Sequence, residues 1–216
     1  MDWQGQFPNI VLDSSGNNLN GSAAGTTWDE GMWGAARTFD GDNDFITIPD
    51  NPLLDLADGL TVSFWIKVVP GANDDTGAII SKMSPGGDNI NYQILFSWLP
   101  GVVEPGKCRF IFRYGHPDQY FSASVPDIAN NEWRHVIFSY DFGDPASAIL
   151  VIDYSRIISG TWVGGESAAT VNNGEFLIGK QNDTEQPYYL AGGLDEVELY
   201  SQSFGWEAIQ YIFFPR

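Results

Sequence analysis

Short segments in which apolar residues alternate with polar or bulky ones run through most of the 216-residue chain. The clearest is LTVSFWIKVV at residues 60–69, where Val62, Phe64, Ile66 and Val68 occupy every second position. A period of two residues is typical of a β-strand with one face on a hydrophobic core. Because clusters of turn-forming residues separate these segments, the pattern predicts an all-β sandwich.

Other parts of the chain complete this expected architecture. Helical spacing of apolar residues occurs only at 204–214, where Pro215 supplies a stop. The strands lack the long helical connections that parallel sheets need, so we expect antiparallel pairing. The sequence therefore predicts one domain over residues 1–216, a two-sheet antiparallel jelly-roll sandwich with a short C-terminal helix. Further strands are predicted at 45–48, 78–82, 91–98, 107–114, 133–141, 149–158, 175–179 and 192–200.

The charge balance excludes several partners. There are 28 acidic and 10 basic residues, a formal net charge of −18, whereas nucleic-acid binding requires cationic neutralisation of phosphate. We therefore expect neither nucleic acid nor anionic membrane as a partner. Two interpretations of the acidity stay open: a solvated, mutually repelling surface, or carboxylates that hold cations such as calcium.

The sequence also bears on location. No apolar run approaches the roughly 18 residues of a membrane span, so membrane insertion is not expected. The polar start at residues 1–9 lacks the features of a signal peptide. We expect an extracellular or virion-surface protein, either released by another route or deprived of its leader. Cys108 is the single cysteine, so no internal disulfide can form.

The order of the segments resembles the laminin-G-like, concanavalin-A-like jelly-roll family over nearly the whole chain. This resemblance implies the fold and leaves the function open, since the fold is host to lectins, adhesive modules, virion proteins and glycosidases. The chain departs from the family at 153–156, where DYSR replaces a common Asp-Gly turn. The segments that carry the resemblance are DSSGNN at 13–18, FDGDNDFI at 39–46, LTVSFWIK at 60–67, EWRHVIFSYD at 132–141, EFLIGKQND at 175–183 and GGLDEVELY at 192–200.

Some acidic residues lie on strand faces whose other residues are apolar and are therefore expected to face the core. Simple alternation places Asp195 on the same face as Val197 and Leu199. It places Glu196 and Glu198 on the opposite face. A carboxylate that faces a core is costly unless it accepts several hydrogen bonds or binds a cation.

A second set of acids precedes a predicted strand, and Asp44 shares its face with Ile46. The family resemblance implies that Asp40, Asp42, Asp44 and Asp195 form a structural calcium (Ca2+) site near the sandwich edge. The alternative is that Asp44 and Asp195 accept backbone N–H bonds from neighbouring turns without any metal.

A catalytic set is not evident, and we predict that the chain is not an enzyme. Glycosidases need two carboxyl groups facing one cleft. Glu196 and Glu198 come nearest to this, but Asp195 is expected to point the other way and no third acid follows in the alternation. His116 and His135 fit no zinc pattern, and His135 is expected in a core or ladder position.

Aromatic residues in predicted loops suggest binding. Trp98, Tyr120, Trp162 and Tyr188 could stack on sugar rings, with neighbouring polar groups fixing the hydroxyls. The alternative is that these rings cap the ends of the sandwich. The preferred function is non-catalytic carbohydrate or cell-surface binding, or adhesion. Two alternatives remain: a structural virion protein, such as a bacteriophage decoration, fibre or tail component contacting other coat chains, and, with less support, a glycosidase on the same fold.

Overall fold

The computed structural model describes residues 9–71, 76–99, 105–157, 160–164, 170–183 and 187–214. Within these ranges the chain forms sixteen β-strands and one α-helix. In chain order they are β1 Ile10–Val11, β2 Gly21–Ala24, β3 Thr27–Glu30, β4 Ala35–Asp40, β5 Phe45–Ile48, β6 Gly59–Val68, β7 Thr76–Met83, β8 Ile90–Ser97, β9 Lys107–Gly115, β10 Tyr120–Pro126, β11 Trp133–Asp141, β12 Ile149–Ile152, β13 Ser155–Ile157, β14 Thr161–Val163, β15 Phe176–Ile178, β16 Ala191–Tyr200 and α1 Trp206–Phe213.

The strands form two sheets. A nine-stranded sheet has the order β1-β2-β5-β15-β7-β8-β9-β10-β14, and a seven-stranded sheet has the order β13-β12-β11-β6-β16-β4-β3. Neighbouring strands pair antiparallel in both sheets. The predicted two-sheet antiparallel sandwich is confirmed.

The alternating segment at 60–69 becomes β6, the central strand of the seven-stranded sheet. Val62, Phe64, Ile66 and Val68 have no solvent exposure and pack in the main core between the sheets. Trp65 lies on the opposite face. Strand β6 pairs on one side with β11 and on the other with β16. The pattern therefore predicted both the strand and its buried face correctly.

Aromatic rings fill much of the space between the sheets. The rings of Phe112 and Phe138 lie 4.7 Å apart, and Phe110 lies 5.1 Å from Phe138. Deeper in the same cluster, the hydroxyl groups of Tyr114 and Tyr140 are 3.0 Å apart and share a hydrogen bond. Each buried tyrosine hydroxyl thus has a polar partner, as burial of such a group requires.

The predicted C-terminal helix is also confirmed, as α1. Its buried residue Ile209 packs against Ile137, Ile149 and Val151 on the outer face of the seven-stranded sheet. This gives the sheet a second, smaller hydrophobic layer. No helix in the described ranges has both the length and the apolar character required to cross a membrane.

The structure corrects the strand predictions in two ways. The predicted strand 149–158 is a hairpin of β12 and β13 as far as residue 157, and Ile158 lies outside the described residues. Its two-residue turn has positive φ at both Asp153 (47°) and Tyr154 (65°), as the favoured hairpin turn requires. Strands β1, β2, β3, β4, β10 and β14 were not predicted at all.

One charged side chain is wholly enclosed. Lys82 has no solvent exposure, and its Nζ lies 2.6 Å from Asp50 and 3.2 Å from Asp55. The same ammonium group donates to the carbonyl oxygens of Asn172 (2.8 Å) and Gly174 (2.7 Å). Since each of these groups belongs to a loop beside β7, Lys82 ties two loops to the sheet.

Candidate functional site

The acidic loop at 40–44 forms a tight, hydrogen-bonded turn. The buried Asp44 accepts a bond from the backbone N–H of Asp40 through Oδ2 at 3.0 Å. Asp40 accepts bonds from the backbone N–H groups of Asp42 (2.9 Å) and Asn43 (3.2 Å) through Oδ1. These backbone bonds, led by that from Asp42, lower the pKa of Asp40, whereas burial and then the charge of Asp40 raise the pKa of Asp44.

Asp195 also accepts backbone hydrogen bonds, in a part of the fold away from this loop. Its Oδ2 accepts the backbone N–H of Trp33, and its Oδ1 accepts that of Glu196, each at 3.0 Å. The carboxylate therefore ties the β3–β4 turn to strand β16. Both buried acids accept backbone N–H groups, as the metal-free alternative described.

A β-bulge changes the orientation of the residues around Asp195. Asp195 lies opposite Trp65 and Glu198 lies opposite Ser63, so the acids share the outer face of the sheet. The expectation that Asp195 shares a face with Leu199 is therefore wrong. The physical reason is the bulge at Glu196, which has a φ of 47°. Here β16 has one residue more than the facing part of β6, and this extra residue breaks the alternation of faces.

The four acids predicted to hold calcium do not converge. Asp40 lies opposite Ala191 in the β4–β16 pair, and Asp195 is four residues further along β16, which corresponds to about 13 Å. Among the described residues, no three acidic, histidine or cysteine side chains are grouped so that they could hold a metal ion. The donor set therefore does not fit a calcium site as arranged, and calcium binding stays a prediction.

The four aromatic residues predicted as ligand contacts fall into two groups. Trp162 packs into the core with its ring 4.7 Å from Tyr140 and donates its indole N–H to the Pro145 carbonyl at 3.2 Å. Trp98 stacks on Phe96 and donates to Asp127 at 3.1 Å. Both indoles thus have their contacts within the sandwich.

Tyr120 and Tyr188 are brought together elsewhere. Both rings pack against the apolar side chains of Leu95 and Ile111 on the outer face of the nine-stranded sheet. Arg113 lies directly opposite Tyr120 in the β9–β10 pair. The predicted set therefore does not form one cluster, and ligand binding by this tyrosine pair stays a prediction.

The concave feature of greatest interest lies where β1 of one sheet faces β16 of the other. Two cavities adjoin there, of about 680 Å³ and about 530 Å³. We call them the Trp28 cavity and the Tyr200 cavity, and together the edge groove. The residues that line both are Val11, Leu12, Ser14, Ile178, Val197 and Glu198.

The groove exists because strand pairing stops early. Strand β16 pairs with β4 only as far as Leu194, which lies opposite Arg37. Beyond that point the bulge carries β16 away from β4, while its pairing with β6 resumes at Glu198. The part of β16 from Asp195 to Glu198 therefore lines the Trp28 cavity instead of continuing a ladder with β4.

Trp28 on edge strand β3 gives this cavity an aromatic wall. The guanidinium of Arg37 lies 3.6 Å from the centre of the indole, a cation–π contact that holds the ring in place. Arg37 is itself 5% exposed and donates to the Thr26 hydroxyl at 3.2 Å. Trp28 is 36% exposed, so a fixed ring retains accessible surface.

Two exposed glutamates of β16 lie at the margin of the groove, Glu196 at the bulge and Glu198 on the outer side of the strand. Glu196 and Glu198 line the Trp28 cavity, and Glu198 accepts a hydrogen bond from the Tyr200 hydroxyl at 3.3 Å. Partial burial, followed by the charges of Asp195 and Glu198, raises the pKa of Glu196. The groove therefore offers hydrogen-bond acceptors in a region of negative potential.

The sequence analysis did not identify Trp28 as a functional residue. All four residues of β3 are exposed, so the strand lacks the alternation that predicts a half-buried strand. An aromatic residue between polar neighbours, in TTWDE at 26–30, was the available signal.

A family model described as the concanavalin A-like lectin/glucanases superfamily, of the laminin G type, matches residues 40–210. The chain belongs to this superfamily. No curated protein matches it in sequence.

Solved structures share the fold of this lectin/glucanase-superfamily domain. Domain 4 of AbnA, an extracellular arabinanase from Geobacillus stearothermophilus solved with arabinotriose, is 20% identical with a TM-score of 0.62, covering 94% of this chain and 93% of that one. The receptor binding domain of botulinum neurotoxin mosaic serotype C/D is 14% identical with a TM-score of 0.62, covering 93% of this chain. This chain spans about half of that domain, 47% of its length.

A viral protein has the same fold. The enzymatically active domain of tailspike protein 2 from bacteriophage CBA120 is 12% identical with a TM-score of 0.63, covering 90% of this chain and 30% of that one. The same fold is therefore found in a receptor binding domain and in a domain solved with a bound sugar, and also in a domain described as enzymatically active. At these identities the similarity concerns the fold alone.

Proposed function

We propose that this domain binds a carbohydrate without transforming it, and that the ligand lies in the edge groove. The observation that carries the proposal is the position of Trp28, fixed by Arg37 and partly exposed, in the same cavity as Glu196 and Glu198. Aromatic rings pack on the apolar faces of sugars. Carboxylate oxygens accept hydrogen bonds from sugar hydroxyls, which fixes orientation.

Two further points support this function. Each cavity has a volume in the range of small-molecule sites, roughly 300–1,000 Å³. The arabinanase domain with the same fold was solved in complex with arabinotriose, and the botulinum domain is described as receptor-binding.

A glycan array followed by calorimetry tests the proposal. We expect Trp28→Ala to weaken binding of the retained glycan at least tenfold, which corresponds to about 1.4 kcal/mol. Tyr211→Ala is the matched control, because Tyr211 is an aromatic residue with 70% exposure on α1. It should bind as the wild type does. An array that retains no glycan, or equal losses in the two variants, would contradict the proposal.

Hydrolysis is the second candidate, and one observation favours it. The raised pKa of Glu196, with Glu198 close by, is the property expected of a general acid. We rank it second because both oxygens of Asp195 accept backbone N–H groups and Glu198 accepts the Tyr200 hydroxyl. We expect no release of reducing sugar from glucans, arabinans or galactans. Release that Glu196→Gln abolishes would reverse this ranking.

The role of structural virion protein stays an alternative prediction. Similarity to the tailspike at 12% identity supports a common fold and no shared partner. Co-purification of the chain with virions, in a symmetric assembly, would favour this role over that of a free glycan-binding protein.

A further inference from the structure

The two cavities form one continuous depression. They share six lining residues, which come from β1 and the segment after it, from β15 and from β16, and neither cavity is enclosed. Trp28 lines only one of them, whereas Leu53 and Tyr200 line only the other. A site of this form is larger than a single sugar unit requires.

The charged side chains of the groove have one dominant sign. Asp13, Glu196 and Glu198 are acidic, as is the buried Asp195. Among the described residues of the lining, the single basic one is Arg37, whose guanidinium is covered by Trp28 and bonded to the Thr26 hydroxyl. With a chain net charge of −18, this lining repels anionic ligands and accepts hydrogen bonds from neutral hydroxyl groups.

The rim adds apolar surface at both ends. Leu12 is exposed beside both cavities, Trp28 borders the first and Leu53 the second. Exposed apolar side chains grouped around a depression are typical of a binding site. They match the apolar faces that sugar rings present in alternation with their hydroxyl edges.

From these observations we infer that the edge groove holds several consecutive units of a linear, uncharged polysaccharide, with one end of the bound stretch in the Trp28 cavity and the other in the Tyr200 cavity. This inference rests on the proposed function and adds the ligand class and the binding mode. Longer chains gain contacts in the second cavity without a second cost of lost translational freedom, so affinity must increase with length until both cavities are filled.

Calorimetry with oligosaccharides of defined length tests the inference. The probes are neutral oligomers of arabinan, xylan and β-glucan, and oligogalacturonides as anionic counterparts, each of about two and about five units. At least one neutral series should bind tenfold or more tightly at the greater length. Oligogalacturonides of equal length should bind at least tenfold more weakly at low salt, and Glu196→Gln should narrow that difference.

Two variants separate the cavities. Trp28→Ala should weaken binding of short and long oligomers alike. Leu53→Ala, which changes an exposed side chain of the Tyr200 cavity, should remove much of the gain with length and leave the short oligomers unaffected.

The outcomes distinguish the inference from the function on which it rests. Binding that depends on Trp28 but not on length would overturn the inference and leave the proposed function intact, as would a preference for oligogalacturonides. If no neutral oligomer binds, both fail. Self-association that Trp28→Ala abolishes, without affinity for any oligosaccharide, would make the groove an interface between copies of the chain and also overturn both.

Discussion

At the scale of single residues, Lys82 has the most demanding environment in the described part of the chain. Its ammonium group has no solvent contact and is balanced by Asp50, Asp55 and two carbonyl oxygens. Removal of the ammonium group would leave two carbonyl oxygens and two partly buried carboxylates without their partner. The lysine is therefore expected to matter far more to stability than a surface lysine.

We predict that Lys82→Met lowers the free energy of unfolding by about 3–5 kcal/mol, measured by urea denaturation at neutral pH. Lys67→Met is the control, because Lys67 is partly exposed and lies 3.8 Å from Asp29 in an exposed ion pair. That variant should lose about 1 kcal/mol or less. Equal losses in the two variants would show that burial of the Lys82 ammonium is not the source of its effect.

His135 links stability to pH. Its ring stacks on Trp65 at 4.7 Å, and its Nε2 shares a 2.8 Å hydrogen bond with the Ser63 hydroxyl. Burial lowers the pKa of His135 to about 4, with Asp153 opposing the shift. The folded state therefore favours the neutral ring. This stability is fully present above the unfolded pKa near 6.5 and is lost as pH falls towards 4.

From this we predict that the wild type loses about 2 kcal/mol of unfolding free energy between pH 8 and pH 5 through His135 alone. His135→Phe keeps an aromatic ring against Trp65 and removes the titration. Urea unfolding at both pH values should give a smaller loss for this variant by about that amount. If wild type and variant lose equal stability, His135 does not couple folding to protons.

At the scale of secondary structure, the bulge in β16 requires an unfavourable backbone conformation at one residue. Glu196 has a φ of 47°, in the left-handed region where a side chain costs about 1–2 kcal/mol. Its carboxylate also lies close to the charges of Asp195 and Glu198. Glycine removes both penalties without changing the path of the chain.

Glu196→Gly should therefore raise the free energy of unfolding by about 1 kcal/mol. The matched control is Glu198→Gly, two residues away on the same strand and in regular pairing with Ser63. There glycine should cost about 1 kcal/mol, because it adds freedom to the unfolded chain and removes the exposed hydrogen bond from Tyr200. Thermal and urea unfolding of both variants measure whether their free energies of unfolding change in opposite directions. A lower free energy of unfolding in both variants would contradict the view that the bulge is strained at Glu196.

Strand β16, compared with β6, shows what the sequence could and could not predict. Alternation identified β6 with its buried face, because the apolar residues of that strand all lie on the main core. It failed at β16, since a bulge shifts every later side chain by one face without changing the pattern of residues. The edge groove depends on that shift, so neither the groove nor Trp28 on fully exposed β3 could be predicted from the pattern.

At the scale of the whole molecule, the net charge of −18 makes stability depend on ionic strength. Like charges repel in the folded state, and salt screens that repulsion. We predict that the melting temperature at neutral pH rises with NaCl, and that MgCl2 at equal ionic strength gives a comparable rise. A melting temperature that is constant or falls with salt would show that the acidic groups are already compensated.

Calcium can be examined in the same melts. If Asp40, Asp42 and Asp44 bind this ion without the Asp195 that the predicted site also included, CaCl2 should add a rise beyond that of MgCl2, since a ligand of the native state stabilises it. Asp42→Asn should remove the additional rise, whereas Asp195→Asn should not, because Asp195 is anchored to Trp33 away from the loop. Coincident melts in CaCl2 and MgCl2 would exclude a stabilising calcium site.

The position of β6 between β11 and β16 has a consequence for synthesis on the ribosome. Residues 59–68 emerge early, yet one of their two neighbouring strands spans 191–200. Until that strand has left the exit tunnel, the central strand of the seven-stranded sheet has an open edge, which is a template for pairing with other chains. Slow completion of this long-range pairing makes the nascent chain, more than the finished protein, the species prone to aggregation.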